Sequence, residues 1–138
     1  MRDKLHLIIY TPTGKRFDDE VDFVQIHGYK NYLGILPNHA PLISDVIVSK
    51  MSIRINGEDI ICAVGEGVVS IDNGEVKVVV SSFEKADEID VNRALRAKER
   101  AEKRLEEKLI ETDILRAKAA LSRALNRIEI AGNSLWFM

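Results

Sequence analysis

The fold is decided by two stretches, Ser52-Ile53-Arg54-Ile55-Asn56-Gly57 and Asn73-Gly74-Glu75-Val76-Lys77-Val78-Val79-Val80. In each stretch an Asn-Gly pair adjoins an apolar run that is typical of a strand. A type I′ turn needs positive φ at both central residues, and Asn and Gly tolerate that conformation. Each pair therefore predicts a tight β-hairpin.

Further strands and turns are predicted on both sides of these hairpins. Leu5-His6-Leu7-Ile8-Ile9-Tyr10 indicates a first strand, ended by Thr11-Pro12-Thr13-Gly14, and Val21-Asp22-Phe23-Val24-Gln25-Ile26 indicates a second. Gly65-Glu66-Gly67 precedes the strand-like run Val68-Val69-Ser70-Ile71, whereas a dinucleotide-binding glycine motif requires a helix there, so a turn or bulge is the better interpretation. Residues 1–86 are predicted to form an all-β antiparallel sandwich or barrel.

The pattern changes near residue 87 to one of two helices. Asp90 is a candidate cap for a first helix, and Thr112 or Asp113 for a second that Gly132 would end. A short connection makes the two helices antiparallel, so residues 87–138 are predicted to form a helical hairpin. Its stripes are narrow and rich in alanine and leave little apolar surface to hold the hairpin on the sheet, so we expect it to move. The predicted stripe residues are Val91, Ala94, Leu95, Ala101, Leu105 and Leu109, then Ile114, Ala117, Leu121, Ala124, Leu125 and Ile128.

Composition excludes several classes of protein. The 138 residues suffice for one domain or a small domain with an appendage, and a net charge of -2 gives no electrostatic reason to expect nucleic acid. The single cysteine, Cys62, lies in an apolar run and is predicted to be a buried hydrophobe, and with three scattered histidines it predicts no zinc cluster. No signal peptide or membrane-spanning stretch is evident, so the sequence predicts a cytoplasmic protein whose membrane association runs through a partner.

The near-neutral total conceals two unlike segments. Residues 1–86 carry nine basic and twelve acidic side chains, and residues 87–138 carry eleven and ten. In the second helix Arg116, Arg123 and Arg127 share one stripe beside the apolar one. The stripe is either a solvated face or a surface that docks against an acidic protein or a triphosphate, which guanidinium groups bind bidentately.

The most specific segment is Gly34-Ile35-Leu36-Pro37-Asn38-His39-Ala40-Pro41-Leu42, in which two prolines flank a histidine. His39 has no Ser, Cys or acid at a spacing that forms a known triad, so a structural or interface role is favoured over catalysis. No nucleophile, base and acid can be assembled from the chain, and it is predicted not to be an enzyme.

These residues carry a resemblance to a known family. The order of a strand-rich part containing residues 34–42 and Gly65-Glu66-Gly67, then a charged hairpin opening with Ile89-Asp90-Val91-Asn92-Arg93-Ala94, resembles the epsilon subunit of bacterial F-type ATP synthase over the whole chain. A departure is Asn31-Tyr32-Leu33, where many members have Gly-Glu-Leu or a similar triplet in a loop near the ring-facing end.

The resemblance implies a rotor subunit of the central stalk with no catalytic role. The sandwich would bind the gamma subunit and the ring of c subunits, coupling ion-driven rotation to gamma, with Tyr32, Pro37, His39 and Pro41 as candidate interface residues. The hairpin would fold down or extend along gamma, meet the alpha and beta subunits through Arg116, Arg123 and Arg127, and inhibit ATP hydrolysis when extended. The expected location is the cytoplasmic face of the bacterial plasma membrane, held there only through the complex.

The resemblance also implies a nucleotide site, although no cofactor is required. Some members bind ATP through a motif that stands here as Ile89, Asp90, Arg93 and Ala94, with further ligand positions at Glu84, Arg100, Arg123 and Arg127. ATP would then hold the hairpin folded and relieve inhibition. Two alternatives stay open: Asp90 only caps the helix while Arg93 pairs locally, or the chain is a free-standing ATP-binding sensor.

Overall fold

The computed structural model describes residues 3–107 and 110–136. The chain divides into two compact units, Met1–Lys85 and Ala86–Met138. In the described residues the first unit contains only strands as regular elements, and the second contains a short 3-10 helix at Ala86–Glu88 and two α-helices. The predicted fold class, a β-sandwich followed by a two-helix hairpin, is confirmed.

The first unit consists of two five-stranded sheets. The first sheet has the order β2-β1-β9-β8-β5 and the second β10-β7-β6-β3-β4, and every pairing is antiparallel except that of β1 with β9. The strands are β1 (Leu5–Thr11), β2 (Gly14–Val21), β3 (Phe23–His27), β4 (Tyr32–Ile35), β5 (Leu42–Val46), β6 (Ser49–Ile55), β7 (Glu58–Val64), β8 (Gly67–Asp72), β9 (Glu75–Val80) and β10 (Phe83–Lys85).

Both Asn-Gly hairpins form as predicted. Asn56 and Gly57 have φ of 51° and 80°, and Asn73 and Gly74 have φ of 51° and 79°, which are the values a type I′ turn requires. They join β6 to β7 and β8 to β9. Because the turns fix the register, alternate side chains of each strand point into one shared core of large aliphatic residues. Cys62 lies in this core, so its predicted burial is confirmed.

Two strand predictions need correction. The run from Val21 to Ile26 is not one strand: Val21 ends β2 in the first sheet, and Phe23 begins β3 in the second. The chain changes sheets at Asp22, whose amide donates to the Arg54 carbonyl (2.8 Å) and whose Oδ2 accepts from the Asn56 amide (2.8 Å). β2 itself was not predicted, because it is an edge strand whose exposed positions carry Lys, Arg, Asp and Glu.

The second unit is a hairpin of α1 (Val91–Glu106) and α2 (Glu111–Trp136). Their buried residues are mainly alanines at seven-residue spacing: Ala94 and Ala101 in α1, and Ala117, Ala124 and Ala131 in α2. Residues seven apart lie on one face of a helix, so the two alanine rows form a narrow seam. Methyl-sized contacts let two helices approach closely while burying little area.

The ends of the helices differ from the prediction. α2 begins at Glu111, so Thr112 and Asp113 lie within its first turn and do not cap it. Gly132 lacks the left-handed φ of a helix-ending glycine, and α2 continues through it to Trp136. Leu95 and Leu125, predicted in the apolar stripes, are 40% and 45% exposed because the alanines occupy the centre of the seam. Leu109 lies outside the described residues.

Candidate nucleotide and partner sites

Asp90 is the N-cap of α1. Its Oδ1 accepts a hydrogen bond from the backbone N–H of Arg93 (3.0 Å), and its carbonyl accepts from the N–H of Ala94 (3.0 Å). The residue has extended φ and ψ of -82° and 100°, as an N-cap requires. The capping interpretation of Asp90 is therefore confirmed, and any role toward a nucleotide would be additional to it.

The other three residues of the motif differ in their exposure. Ile89 is half-buried, Arg93 is exposed on the first turn of α1, and Ala94 is 4% exposed in the alanine seam. Ala94 thus has a packing role of its own, because a larger side chain there would push α2 away. The helix N-terminus carries unpaired N–H groups and a partial positive charge, which suit an anion.

The antiparallel arrangement decides which arginines lie near Asp90. Ala101 and Ala117 are about equally far from the connection, and so are Ala94 and Ala124 one heptad further along. The open end of the hairpin therefore brings Arg123 and Arg127 of α2 level with the start of α1. Both are half-buried and have interaction partners in the structure.

Three candidate residues lie apart from this group. Arg100 is one heptad from Arg93, and Arg116 one heptad from Arg123 toward the connection, which at 1.5 Å per residue is about 10 Å along each helix axis. Glu84 belongs to the other unit, where it is half-buried on β10 opposite Ala63 of β7. Along the hairpin axis, Arg123 and Arg127 are thus level with Asp90 and Arg93, whereas Arg100 and Arg116 lie about one heptad nearer the connection.

In the sandwich, the segment between β4 and β5 is a built turn. The N–H of His39 donates to the Leu36 carbonyl (3.2 Å), with Pro37 following Leu36 and Asn38 at a φ of 70°. Proline followed by a residue with positive φ is the signature of a type II turn. The His39 ring donates from Nδ1 to the Ala40 carbonyl (2.6 Å), so the structural hydrogen bond favoured for this histidine is present. Pro37 is half-buried and Pro41 exposed.

Tyr32 lies at the start of β4, 56% exposed, with its ring edge-to-face on His27 (centroids 4.2 Å apart, 76° between planes). The neighbouring Tyr29 is 77% exposed in the turn between β3 and β4 and was not singled out from the sequence. The sequence feature that could have identified Tyr29 is an aromatic residue in a turn with glycine and asparagine, where burial is not expected.

The outer face of the first sheet carries a second feature that the sequence analysis missed. Tyr10, Val79 and Val68 lie opposite one another across β1, β9 and β8, and both valines are about half exposed. We call these three residues the outer apolar row. The signal was available in β9, where Val78, Val79 and Val80 are consecutive, so one valine must face outward.

The edge strand β2 is covered by charge. Asp18 lies between the Lys15 ammonium (2.7 Å) and the His6 ring (2.6 Å), and hydrogen bonds from Lys15 and then His6 lower the pKa of Asp18. Such charges discourage pairing with another strand. In the residues that the structure describes, no group of His, Cys, Asp and Glu is placed to hold a metal ion, and no helix is long and apolar enough to span a bilayer.

The structure thus defines the class of the protein: a two-part chain with a β-sandwich followed by a helical hairpin, the second part carrying a capped helix start and an arginine stripe. The description "ATP synthase, Delta/Epsilon chain, beta-sandwich domain" matches residues 4–86, and "ATP synthase, Delta/Epsilon chain, long alpha-helix domain" matches residues 87–132. The chain belongs to the ATP synthase delta/epsilon chain family. The resemblance to the epsilon subunit is thereby confirmed.

Individual relatives agree with this assignment. The ATP synthase epsilon chain of Desulforamulus reducens is 42% identical over 91% of this chain and 95% of its own length. Among solved structures, a chain of the Euglena gracilis mitochondrial ATP synthase (OSCP/F1/c-ring) has a TM-score of 0.76 at 15% identity, covering 98% of this chain and 83% of that one. A chain of the Tetrahymena thermophila mitochondrial ATP synthase (central stalk/c-ring) has a TM-score of 0.65 at 13% identity, covering 94% and 98%. At these identities the two structures share the fold.

Proposed function

We propose that this chain is a non-catalytic rotor subunit of the central stalk of a bacterial F-type ATP synthase, which couples ion-driven rotation of the c ring to gamma. The observation that carries the proposal is the match of both parts, sandwich and hairpin, to one subunit family. The solved structures of similar fold come from ATP synthase assemblies that include the c ring. The subunit is peripheral, on the cytoplasmic face of the plasma membrane, and meets the membrane only through the complex.

The sandwich is proposed as the fixed interface with gamma and the c ring. Tyr32 is largely exposed, and the type II turn holds Pro37 and His39 in a defined conformation next to Pro41. A rigid turn loses little conformational entropy when it binds, and exposed tyrosine is a common anchor at protein interfaces. The outer apolar row adds exposed apolar side chains of the kind that a partner covers.

The hairpin is proposed as a switch that opposes ATP hydrolysis when extended. Its alanine seam is internal to the second unit, so the two helices keep their own contacts when the hairpin changes position. Extended, Arg116, Arg123 and Arg127 would meet an acidic segment of the beta subunits, next to alpha. Two positions of one element need differ by only a few kcal/mol for a partner to select between them.

Removal of the hairpin tests this switch. In the assembled complex, a chain that ends before residue 88 should still assemble and should raise ATP hydrolysis over the full-length chain. Substituting Arg116, Arg123 and Arg127 together by Ala should reproduce most of that rise, whereas Arg96→Ala, a change at an exposed position of α1, should not. Unchanged hydrolysis after truncation would refute the inhibitory role while leaving the rotor role in place.

ATP is proposed as a regulatory ligand of the hairpin's open end. The exposed Arg93, the helix N-terminus and the two arginines of α2 that lie level with it offer positive charge for phosphates, and Asp90 offers a carboxylate for the adenine amino group. Glu84, Ile89, Ala94 and Arg100 complete the proposed set from the family motif.

Calorimetric titration of the isolated chain with ATP tests the site. Arg93→Ala should abolish or strongly weaken binding. Arg104→Ala removes the same charge from the last turn of α1, outside the motif, and should leave binding intact. Absence of heat at millimolar nucleotide, or equal loss in both variants, would refute a nucleotide site here.

The rival proposal is a free-standing ATP-binding sensor. It requires only the hairpin's open end and makes no use of the exposed sandwich surfaces. Purification of the tagged chain from its own cells separates the two proposals. A rotor subunit should carry alpha, beta and gamma with it, and a sensor should be recovered alone.

A further inference from the structure

His27 occupies an unusual position at the end of β3. Val24 and Ile26 of that strand face the core, so His27 lies on the outer face of the second sheet, where it is nevertheless half-buried. It lies directly opposite Tyr32 of β4, and the two rings are in edge-to-face contact. The His27 ring therefore lies at the point where β3 leaves the sheet and enters the turn of residues 28–31.

Three hydrogen bonds hold that turn, two between backbone groups and one from a backbone N–H to a side chain. The His27 carbonyl accepts from the Ile47 N–H (3.0 Å), and the Gly28 N–H donates to the Asn31 carbonyl (2.7 Å). The Tyr29 N–H donates to Oδ2 of Asp45 on β5 (2.9 Å). Gly28 is buried, and a Cβ there would meet the Asp45 carbonyl and the Ser44 hydroxyl at 3.0 Å.

The surroundings of the ring disfavour a proton. Burial, and after it the Lys50 ammonium, lowers the pKa of His27. The one acid among the neighbouring groups is engaged elsewhere, since Asp45 accepts from the Tyr29 N–H and, at 3.4 Å, from the Ser44 hydroxyl. The titratable groups on the elements around His27 are Tyr32 on β4, Asp45 on β5, Lys50 on β6, and Tyr29 and Lys30 in the turn; β6 also carries Arg54, opposite Phe23 at the far end of β3.

We propose that His27 is a proton-sensitive latch: neutral, its ring packs on Tyr32 and holds residues 28–31 against β5, and protonated, it leaves that contact and loosens the turn. An imidazolium has two N–H donors that need water or an acceptor, and a half-buried ring has less access to water than an exposed one.

The direction of the pH effect follows from the lowered pKa. In the unfolded chain His27 binds a proton near the ordinary histidine pKa of about 6.5, and the folded chain binds it only at lower pH. The stabilising contact is therefore complete above that ordinary value and is lost as the pH falls through the folded-state pKa. Mild acid would release the turn that carries the exposed Tyr29 and adjoins Tyr32, and this regulation goes beyond the proposed function.

Nuclear magnetic resonance of the isolated full-length chain tests the latch. The Cε1–Hε1 signal of His27 should titrate below about 6.5. Over the same pH range the hydrogen-exchange protection of the Gly28, Tyr29 and Ile47 amides, corrected for intrinsic exchange, should fall by about tenfold for each unit by which the pKa is lowered. His6→Gln, on a distant strand, should change neither curve.

Three variants separate the latch from other acid effects. Asp45→Asn keeps an acceptor for the Tyr29 N–H but cannot titrate, so the loosening should persist in it. Lys50→Gln should raise the His27 midpoint part of the way, since burial is the larger cause. His27→Phe keeps a ring on Tyr32 and should abolish the pH response. A His27 midpoint at or above the ordinary value, or a titration with unchanged protection of the turn in wild type, would overturn the proposal whether or not His27→Phe folds.

Discussion

The two units of this chain are built on opposite packing principles. The sandwich buries large aliphatic side chains from both sheets, such as Leu7, Ile9 and Ile53, each fully inaccessible. The hairpin buries chiefly alanines, while Leu95, Leu115 and Leu125 remain substantially exposed. Full burial of a Leu or Ile stabilises by about 1.5–3 kcal/mol, and an alanine methyl contributes much less. The sandwich is therefore suited to a fixed interface, and the hairpin to an element whose state a partner or ligand can shift.

The largest expected effect that sharpens this contrast is Leu7→Ala. Leu7 is fully buried in β1, so truncation leaves a cavity and should cost about 2–5 kcal/mol of the free energy of unfolding. Leu125→Ala on α2, where the side chain is 45% exposed, should stay within about 0.5 kcal/mol. Urea unfolding, followed by backbone amide signals of each unit, measures both. Equal losses would mean that Leu125 is buried and that the hairpin has a larger core than its alanine seam.

The next largest effect comes from the same change, glycine to alanine, at two positions where it should alter stability in opposite directions. Gly67 begins β8 after the turn in which Gly65 and Glu66 exchange backbone hydrogen bonds with Ser82 and Ser81. A Cβ on Gly67 would collide with the Val79 carbonyl oxygen, which is backbone and cannot rotate away, so Gly67→Ala should cost about 1–3 kcal/mol.

Gly132→Ala is the matched change in the hairpin. A Cβ on Gly132 meets nothing within 4 Å, and glycine inside a helix is about 1 kcal/mol less favourable than alanine. The substitution should therefore stabilise α2. Thermal unfolding monitored by circular dichroism should show the two melting temperatures moving in opposite directions. A destabilised Gly132→Ala would contradict the uninterrupted helix at this residue.

The glycines of the turns and of α2 show how far the sequence alone predicts the fold. Local turn chemistry was decisive where it is stereochemically forced, as at Asn56-Gly57 and Asn73-Gly74, and it predicted the sandwich correctly. Gly132 was misread as a helix end, because a glycine near the end of an apolar pattern can either stop a helix or be tolerated inside it. The edge strand β2 was missed because its charged side chains follow from its exposure at a sheet edge, which is a property of the tertiary structure.

The candidate sites, like the fold, were predictable from the sequence only where local chemistry decides the structure. The cap at Asp90 and the structural bond of His39 follow from residue type and local position. The level of Arg123 and Arg127 with the start of α1 follows from counting residues on either side of the connection, and the structure supplies the helix bounds on which that count depends. The contact of His27 with Tyr32 depends on the register of β3 and β4, and the polar neighbours of His27 come from β5 and β6, far apart in sequence.

The smallest effect concerns Asp90, where the stability of the hairpin and its proposed ligand meet. Asp90→Ala removes the acceptor of the Arg93 N–H and should cost α1 about 1 kcal/mol, whereas Asp90→Asn keeps a good cap and should cost little. Exchange protection of the Arg93 amide should fall in the first variant and persist in the second. If ATP binding depends on the carboxylate, both variants should lose it; if it depends only on an ordered helix start, Asp90→Asn should bind and Asp90→Ala should bind weakly. Equal losses of amide protection in Asp90→Asn and Asp90→Ala would contradict this account. They would mean that the charge of Asp90, and not its hydrogen bond, stabilises the first turn. A triphosphate bound at the same helix end would then compete with Asp90 for that role.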